Sequence, residues 1–394
     1  MRLTLIAAAV AAAAGCGDAR DGLEWSVRGG DVGEFVLHGN EVFTIGRRLA
    51  VYDVESGRRA RDAPLPSNLA NITRGQLGPG AVVEGDALAF GWYDFGAETA
   101  TLFCVSTATL QTRWQWRIGW PWSERTLRPT LAVAADAQQV YAAAIGKDGD
   151  NVFAFRLADG ALVWSRRVER FPAEAALALH EDRVIVRSQL WARPANRHQQ
   201  IDALVTRDGA RVWRTWLAGE PKYHLDAPLL HAGHLYTTTR DGPATGQLYR
   251  VRLSDGHTTR VPIPSSGAAF AAHDDVIYLG GWPPLAYDTG RARVLWRASL
   301  GYATEPDVSL IAGGGVDLDR GIVYVGDSQR AVYVLDAASG LLQRRIRVDR
   351  YARFQLFSPL KALFASYGVR RLQPRDGRLF VGTVDGSLFV FRAR

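Results

Sequence analysis

The sequence predicts an all-β fold: an eight-bladed β-propeller of four-stranded antiparallel blades, closed by the N-terminal strand pairing with the C-terminal blade. Three observations carry this expectation. First, a short apolar strand running into an Asp/Ser/Thr-Gly turn recurs along the chain. It is plainest in Val332 to Ile346 (VYVLDAASGLLQRRI), Val152 to Val168 (VFAFRLADGALVWSRRV) and Leu49 to Ala60 (LAVYDVESGRRA). A unit that small cannot bury its own apolar face and must stack on its neighbours. Second, an apolar pair after a polar turn marks each repeat: Val42-Phe43, Val140-Tyr141, Val184-Ile185, Leu235-Tyr236, Val276-Ile277, Val323-Tyr324 and Leu379-Phe380, with Leu88 as a weaker eighth. The marks lie roughly 40 to 55 residues apart, the period of a four-stranded blade. Third, the last repeat reaches Arg394 straight after its third strand, LFVFR, while Leu23 to Arg28 (LEWSVR) has the fourth-strand pattern of Leu162 to Val168 (LVWSRRV) and Val294 to Leu300 (VLWRASL). Pairing these two ends leaves no bare strand edge between first and last blades.

In chain order the expected parts are residues 1–16, a lipoprotein-type signal peptide with Cys16 as lipidation site; residues 17–22, a short tether; and residues 23–394, a single propeller domain. Arg2 followed by LTLIAAAVAAAAG is a charged start and an apolar stretch too short to span a bilayer comfortably. Ala13, Ala14 and Gly15 make a small-residue cleavage site before Cys16. This arrangement resembles a bacterial lipoprotein signal, departing from it at Ala13, where Leu is commoner. The other reading is an ordinary secretory signal cut near Gly17. Asp18 comes one place later than the usual inner-membrane retention signal, so the same resemblance implies the outer membrane, facing the periplasm, with the lipid as the only membrane contact. Gly17 to Gly22 reach at most roughly 20 Å when extended, which keeps the propeller close to the membrane.

Within each blade the inner strand is expected to end at the polar turn, the second to start at the mark, the third to carry the LAVYD-like run, and the fourth to follow the Asp-Gly-type turn. Gly57, Gly160, Gly209, Gly256, Gly290 and Gly340 are expected to supply positive φ in those turns. Trp25, Trp114, Trp164, Trp213 and Trp296 take equivalent outer-strand places, where an indole fills the wedge between blades. His38, His180, His231 and His273 end inner strands, and a residue recurring at equivalent positions serves the repeat. His231 and His234 have HxxH spacing, but the pair straddles a hairpin turn with no third ligand nearby, so no metal is expected. Cys104, in TLFCV, has no partner once Cys16 is lipidated and is expected to be a buried small hydrophobe. The longest connection holds SPLKALFASYG (Ser358 to Gly368), in which Ser358 can cap, Pro359 suits the first helical position, and Leu360, Leu363, Phe364 and Tyr367 share one side. A two-turn helix is expected there.

The net charge of +7 rests on arginine, since Lys147, Lys222 and Lys361 are the only lysines. Arginine spread over every repeat, with no basic block and no aromatic stacking motif, is a solvated surface and not a nucleic-acid track. The turns that pair Asp53 with Gly57, Asp336 with Gly340, and Asp159-Gly160 with Trp164 resemble the Asp-x-x-Thr-Gly-x-x-x-Trp repeat of the PQQ-like β-propeller family, from about Leu23 to the end. Within that family, a lipoprotein signal followed by eight blades in under 400 residues is similar to the propeller lipoprotein of the outer-membrane β-barrel assembly machine. The resemblance implies a monomeric protein-binding scaffold whose partner is a barrel-assembly complex. Quinoprotein dehydrogenases share the blades and supply the alternative reading, a PQQ-dependent or other small-molecule propeller enzyme. Their site, as the resemblance implies, stacks the quinone on a disulfide of adjacent cysteines and holds Ca²⁺ with clustered oxygens. This chain has no adjacent cysteines, no loop with an Asp/Asn/Glu cluster, and no GxSxG, P-loop or HExxH motif. No catalytic residue, cofactor or metal is therefore expected.

The faces of the ring are expected to differ. Turns between strands one and two, such as Gly39-Asn40, Glu181-Asp182 and Asp274-Asp275, are minimal. Trp92 to Ala100, Gly119 to Pro129, Gln189 to Gln200, Gly219 to Asp226, Arg240 to Gln247, Gly301 to Gly314 and Asp349 to Gln373 are longer connections. Long loops on a rigid scaffold are where binding resides. On or beside them the expected partner-binding residues are Trp92, Tyr93, Trp120, Trp122, Arg125, Trp191, Arg193, Arg197, Arg240 and Trp282. Aromatics with arginine have the composition of interface anchors. The alternative is that these indoles fold back over the blade ends.

Overall fold

The structure, a computed structural model, describes residues 22–27, 32–46, 48–65, 75–77, 80–94, 99–119, 131–144, 151–168, 172–190, 198–218, 229–240, 246–263, 269–280, 283–300, 313–317, 320–327, 331–348, 369–383 and 386–392. Alternating apolar runs between turn residues fold there into eight antiparallel sheets, each following the last along the chain. Blades 1 to 7 run from Glu34 to Pro64, Gly75 to Gly119, Leu131 to Arg166, Pro172 to Ala218, Leu229 to Ile263, Ala269 to Arg297 and Gly313 to Arg347. Every apolar mark falls at the start of a second strand, as expected. Blade 2, whose mark is the weak one, departs from the pattern: its inner strand is broken into Gly75–Leu77 and Val82–Glu84, both paired with Ala87–Asp94.

Blade 8 holds Val369–Arg375, Arg378–Thr383 and Leu388–Arg392, and its outermost strand is Leu23–Val27. Trp25, Ser26 and Val27 pair with Val390, Phe389 and Leu388. The circle therefore closes as the LEWSVR pattern implied. Glu24 fastens the join, accepting from Arg378 Nε at 2.6 Å and Arg392 Nε at 2.8 Å. Across to blade 1, Arg371 Nη1 donates to Glu34 Oε1 at 2.6 Å and to the Phe35 carbonyl at 2.9 Å.

The core is divided into wedges between neighbouring blades. Because strand side chains alternate sides, each strand serves two wedges. In Gln139–Ala144, Val140, Ala142 and Ala144 pack towards blade 2, while Tyr141 and Ala143 pack towards blade 4. Strands buried on both sides read as unbroken apolar runs. Cys104 is one such wedge residue, free and fully buried, and burial pushes its thiol up to about 11.

The outer rim of five of the wedges is closed by a tryptophan from one blade lying on the turn glycine of the next. Trp164 of blade 3 is 5 % exposed, and its Nε1 donates to the Thr206 carbonyl of blade 4 at 2.6 Å. Gly209, in the same turn, has φ of +68°, and a Cβ there would stand 2.7 Å from the indole. The glycine is thus required twice, by the left-handed backbone and by the ring above it. Trp25 lies in the same way on Gly57, Trp114 on Gly160, Trp213 on Gly256 and Trp296 on Gly340. Each of these indoles also donates to the carbonyl three residues before its glycine.

In blades 2 and 6, where the preceding blade has arginine in the tryptophan place, the positive-φ place of the turn is not a glycine. Arg61 of blade 1 donates to the Thr107 carbonyl at 2.8 and 3.1 Å, and Leu110 takes the positive-φ place in blade 2. Arg260 stands at that place in blade 5, and the positive-φ residue of blade 6 is Ala292, not Gly290. The expectation for Gly290 is corrected accordingly: with no indole to accommodate, the turn admits a side chain and its glycine is free to sit elsewhere.

Candidate partner-binding face

Antiparallel blades send every connection between strands one and two, and between three and four, to one face of the ring. Connections between two and three, and between blades, go to the other. On the first face the turns satisfy themselves. Asp53 Oδ1 accepts from the Ser56 hydroxyl at 2.6 Å and its amide at 2.7 Å, and Asp336 is bonded by Ser339 in the same way. These hydroxyls, with the backbone amides, hold both carboxylates below their usual range. Asp208 and Asp255 are lowered chiefly by the amides of Ala210 and His257, at 2.9 Å each. His38, His180, His231 and His273 end their inner strands here, as expected. His231 and His234 face each other across a hairpin, but each has its own backbone oxygen, Asp274 O at 2.6 Å and Ala232 O at 2.8 Å. Among the described residues no three His, Cys, Asp or Glu side chains gather where a metal could be held.

On the opposite face the strand ends differ from blade to blade. Under the connections of blades 4 and 5 they are polar and buried: Arg187, Ser188, Gln199, Gln200, Thr237, Thr238, Thr239 and Gln247. Arg187 Nε donates to Gln199 Oε1 at 3.0 Å, and Gln199 Nε2 bridges to the Thr238 carbonyl of the next blade at 3.2 Å. Among the described residues the buried Ser188 and Thr239 hydroxyls have no hydrogen-bond partner. An unpartnered buried hydroxyl costs about 1–3 kcal/mol, so this floor is not optimised for stability alone. Buried polar side chains also stand at equivalent ends of other blades, Thr44 in blade 1, Asn151 in blade 3, Asp327 in blade 7 and Thr383 and Ser387 in blade 8, but among the described residues blades 4 and 5 hold the largest groups. In the sequence, the polar tracts Gln199-Gln200 and Thr237 to Thr239 within otherwise apolar strands are the signal of this floor.

The residues expected to bind a partner divide into groups. Trp92 and Tyr93 do not lie in a loop. They continue the strand Ala87–Asp94, are 3 % and 5 % exposed, and fill the wedges towards blades 1 and 3 respectively. Residues so placed are core, because alternation along an extended strand sends each into one of its two wedges. Arg240 ends the strand His234–Arg240, paired with Gly246. Strands also claim the ends of other expected connections: Arg183–Leu190 and His198–Val205 take both ends of Gln189 to Gln200. Trp120, Trp122, Arg125, Trp191, Arg193, Arg197 and Trp282 lie outside the described residues, as do Cys16 and the segment expected to be a helix, 358–368.

Comparison with known proteins agrees with this architecture. Residues 98–258 match the family described as outer membrane protein assembly factor BamB, a PQQ-type repeat family. That stretch contains the consecutive pairs Trp114–Gly160, Trp164–Gly209 and Trp213–Gly256. The resemblance to PQQ-like, BamB-type propellers read from the turns is therefore borne out. Among solved structures, BamB from Moraxella catarrhalis is similar at 17 % identity, covering 94 % of this chain and 99 % of that one, with a TM-score of 0.61. The quinohemoprotein alcohol dehydrogenase ADHIIG from Pseudomonas putida HK5 is similar at 11 % identity over 94 % of this chain and 76 % of that one, TM-score 0.60. The computationally designed protein Ika8 is similar at 14 % identity over 93 % and 97 %, TM-score 0.62. At such identities these structures speak for the fold alone. No curated protein matches the sequence.

Proposed function

We propose that this chain, which resembles BamB-type propellers, is a lipid-anchored scaffold on the periplasmic side of a bacterial outer membrane and that it docks a protein partner in β-barrel assembly. The observation that carries the reading is the contrast between the two faces. One is closed by short turns, several of which bond their own backbone. The other gathers its largest groups of buried polar side chains at the strand ends of blades 4 and 5, which in blade 4 flank the stretch of sequence carrying Trp191, Arg193 and Arg197. A rigid ring with its adaptable chemistry on one face suits a scaffold. The family described over residues 98–258 supports barrel assembly as the setting. The signal-like segment ending at Cys16 supports the lipid anchor, with the short tether holding the ring near the membrane.

The quinoprotein reading draws only on shared blades, and the chain's cysteines, Cys16 and Cys104, cannot form the adjacent pair that reading needs. The scaffold reading is tested by cross-linking in the native envelope and by co-purification. Capture of a barrel-assembly component by the wild-type chain, weakened by Trp120→Ala with Trp122→Ala while the circular dichroism spectrum is unchanged, is the expected result. Capture of other partners only would reject barrel assembly. A quinone absorbance appearing with PQQ and Ca²⁺, together with turnover of an alcohol, would favour the dehydrogenase.

A further inference from the structure

We propose that the outer groove between blades 3 and 4 is a binding site for a phosphate-class oxyanion. The groove is a cleft of about 200 Å³ lined by Arg166, Arg167, Val168, Leu204, Gly209 and Arg211, with the fully buried Asp202 also in its lining. At about 30 Å³ per water molecule, it has room for a five-atom oxyanion and part of its hydration shell.

The charges of the cleft are arranged for an anion. Asp202 is fully buried, and its carboxylate is already committed: Oδ1 accepts from Arg214 Nε at 2.8 Å and Oδ2 from Gln200 Nε2 at 2.5 Å. Arg214 is also committed, donating to the Val168 carbonyl and lying over the Trp216 ring at 5.8 Å. These two groups offset each other. Arg211 stands 3.7 Å from Asp202, close enough to be oriented by it and too long for a hydrogen bond. Arg166 is fixed at the mouth by the Asp208 carbonyl at 2.6 Å and the Ser165 carbonyl at 2.8 Å, which leaves guanidinium N–H groups over. Arg167 is exposed and makes no hydrogen bond or ion pair among the described residues. Three guanidinium groups of incomplete bonding thus converge on one cleft from two blades. Planar donors approaching from different directions suit a tetrahedral oxyanion better than a single carboxylate.

The test uses the full chain and titrates inorganic phosphate at low ionic strength, with acetate as the comparison anion. Phosphate is expected to bind saturably and more tightly than acetate. Arg167→Gln with Arg211→Gln should weaken it roughly tenfold or more, and Arg48→Gln, on blade 1, should leave it unchanged. Arg167→Gln alone keeps the test clear of folding, since that side chain is exposed and bonds nothing among the described residues. A second arm floats the protein with vesicles of phosphatidylcholine alone or with added phosphatidylglycerol. Flotation only with the anionic lipid, reversed by phosphate, identifies a headgroup as the source. Phosphate binding without flotation identifies a soluble phosphate ester. Phosphate binding no tighter than acetate, full affinity in the double variant, or binding of a Glu-rich peptide in place of phosphate would overturn the assignment. The site lies on the outer groove and stands or falls independently of the scaffold role.

Discussion

The seam between blades 3 and 4 allows a quantitative test of how the ring is held together. Trp164→Ala removes a buried indole and its bond to the Thr206 carbonyl, which should destabilise the protein by about 3–5 kcal/mol. Gly209→Ala adds a Cβ in a left-handed backbone, costing about 1–2 kcal/mol. It also drives that Cβ to 2.7 Å from the indole, where overpacking adds about 1–3 kcal/mol. Once the indole is gone the second cost disappears and only the backbone cost remains. The double variant should therefore fall short of the sum of the single variants by about 1–3 kcal/mol. Urea unfolding followed by far-ultraviolet circular dichroism reads all four proteins. Additivity within about 0.5 kcal/mol would refute the claim that the glycine is there for the tryptophan. Trp216→Ala, on blade 4 with Gly209 but 49 % exposed, is the control and should change stability by no more than about 0.5–1 kcal/mol.

Two further outcomes follow from the ionisable groups. Burial would raise the Glu24 pKa, but the hydrogen bonds from Arg378 and Arg392 outweigh it and leave it below the ordinary glutamate value. The pair therefore stabilises the folded ring above that value and is lost as pH falls through the folded-state pKa. Glu24→Gln should flatten this acid limb of the stability profile, and an acid limb identical to wild type would contradict the role given to the join. Cys104, buried and with its thiol pushed up to about 11, should resist a thiol reagent at neutral pH in the native protein and react on unfolding. Prompt native labelling would remove it from the wedge between blades 2 and 3.

What was legible in the sequence was whatever the repeat imposes. The apolar marks, the outer-strand tryptophans, the histidines at inner-strand ends and the LEWSVR closure recur because every wedge poses the same packing problem. Local exceptions were less legible. Trp92 and Tyr93 read as loop aromatics because Gly91, a common turn residue, follows Phe90, yet the strand runs through it to Asp94. Gly290 read as the turn glycine because glycine usually is, and only the arginine at 260 in the neighbouring blade shows why Ala292 serves there instead. The polar floor of blades 4 and 5 and the Arg166, Arg167 and Arg211 cleft join residues from separate hairpins. The tracts Gln199-Gln200 and Thr237 to Thr239 mark the floor within single strands, but no spacing along the chain brings those strands, or the three arginines, together; that takes the stacked blades.

Closure of the ring by its N-terminal strand is the claim on which the rigidity of the binding face depends, and amide hydrogen exchange tests it most directly. The hydrogen-bonded amides of Leu23–Val27 should be protected to the same degree as those of Leu388–Arg392, and Glu24→Gln should lower protection in both strands together. Exchange of Leu23–Val27 at unprotected rates while Leu388–Arg392 stays protected would contradict it.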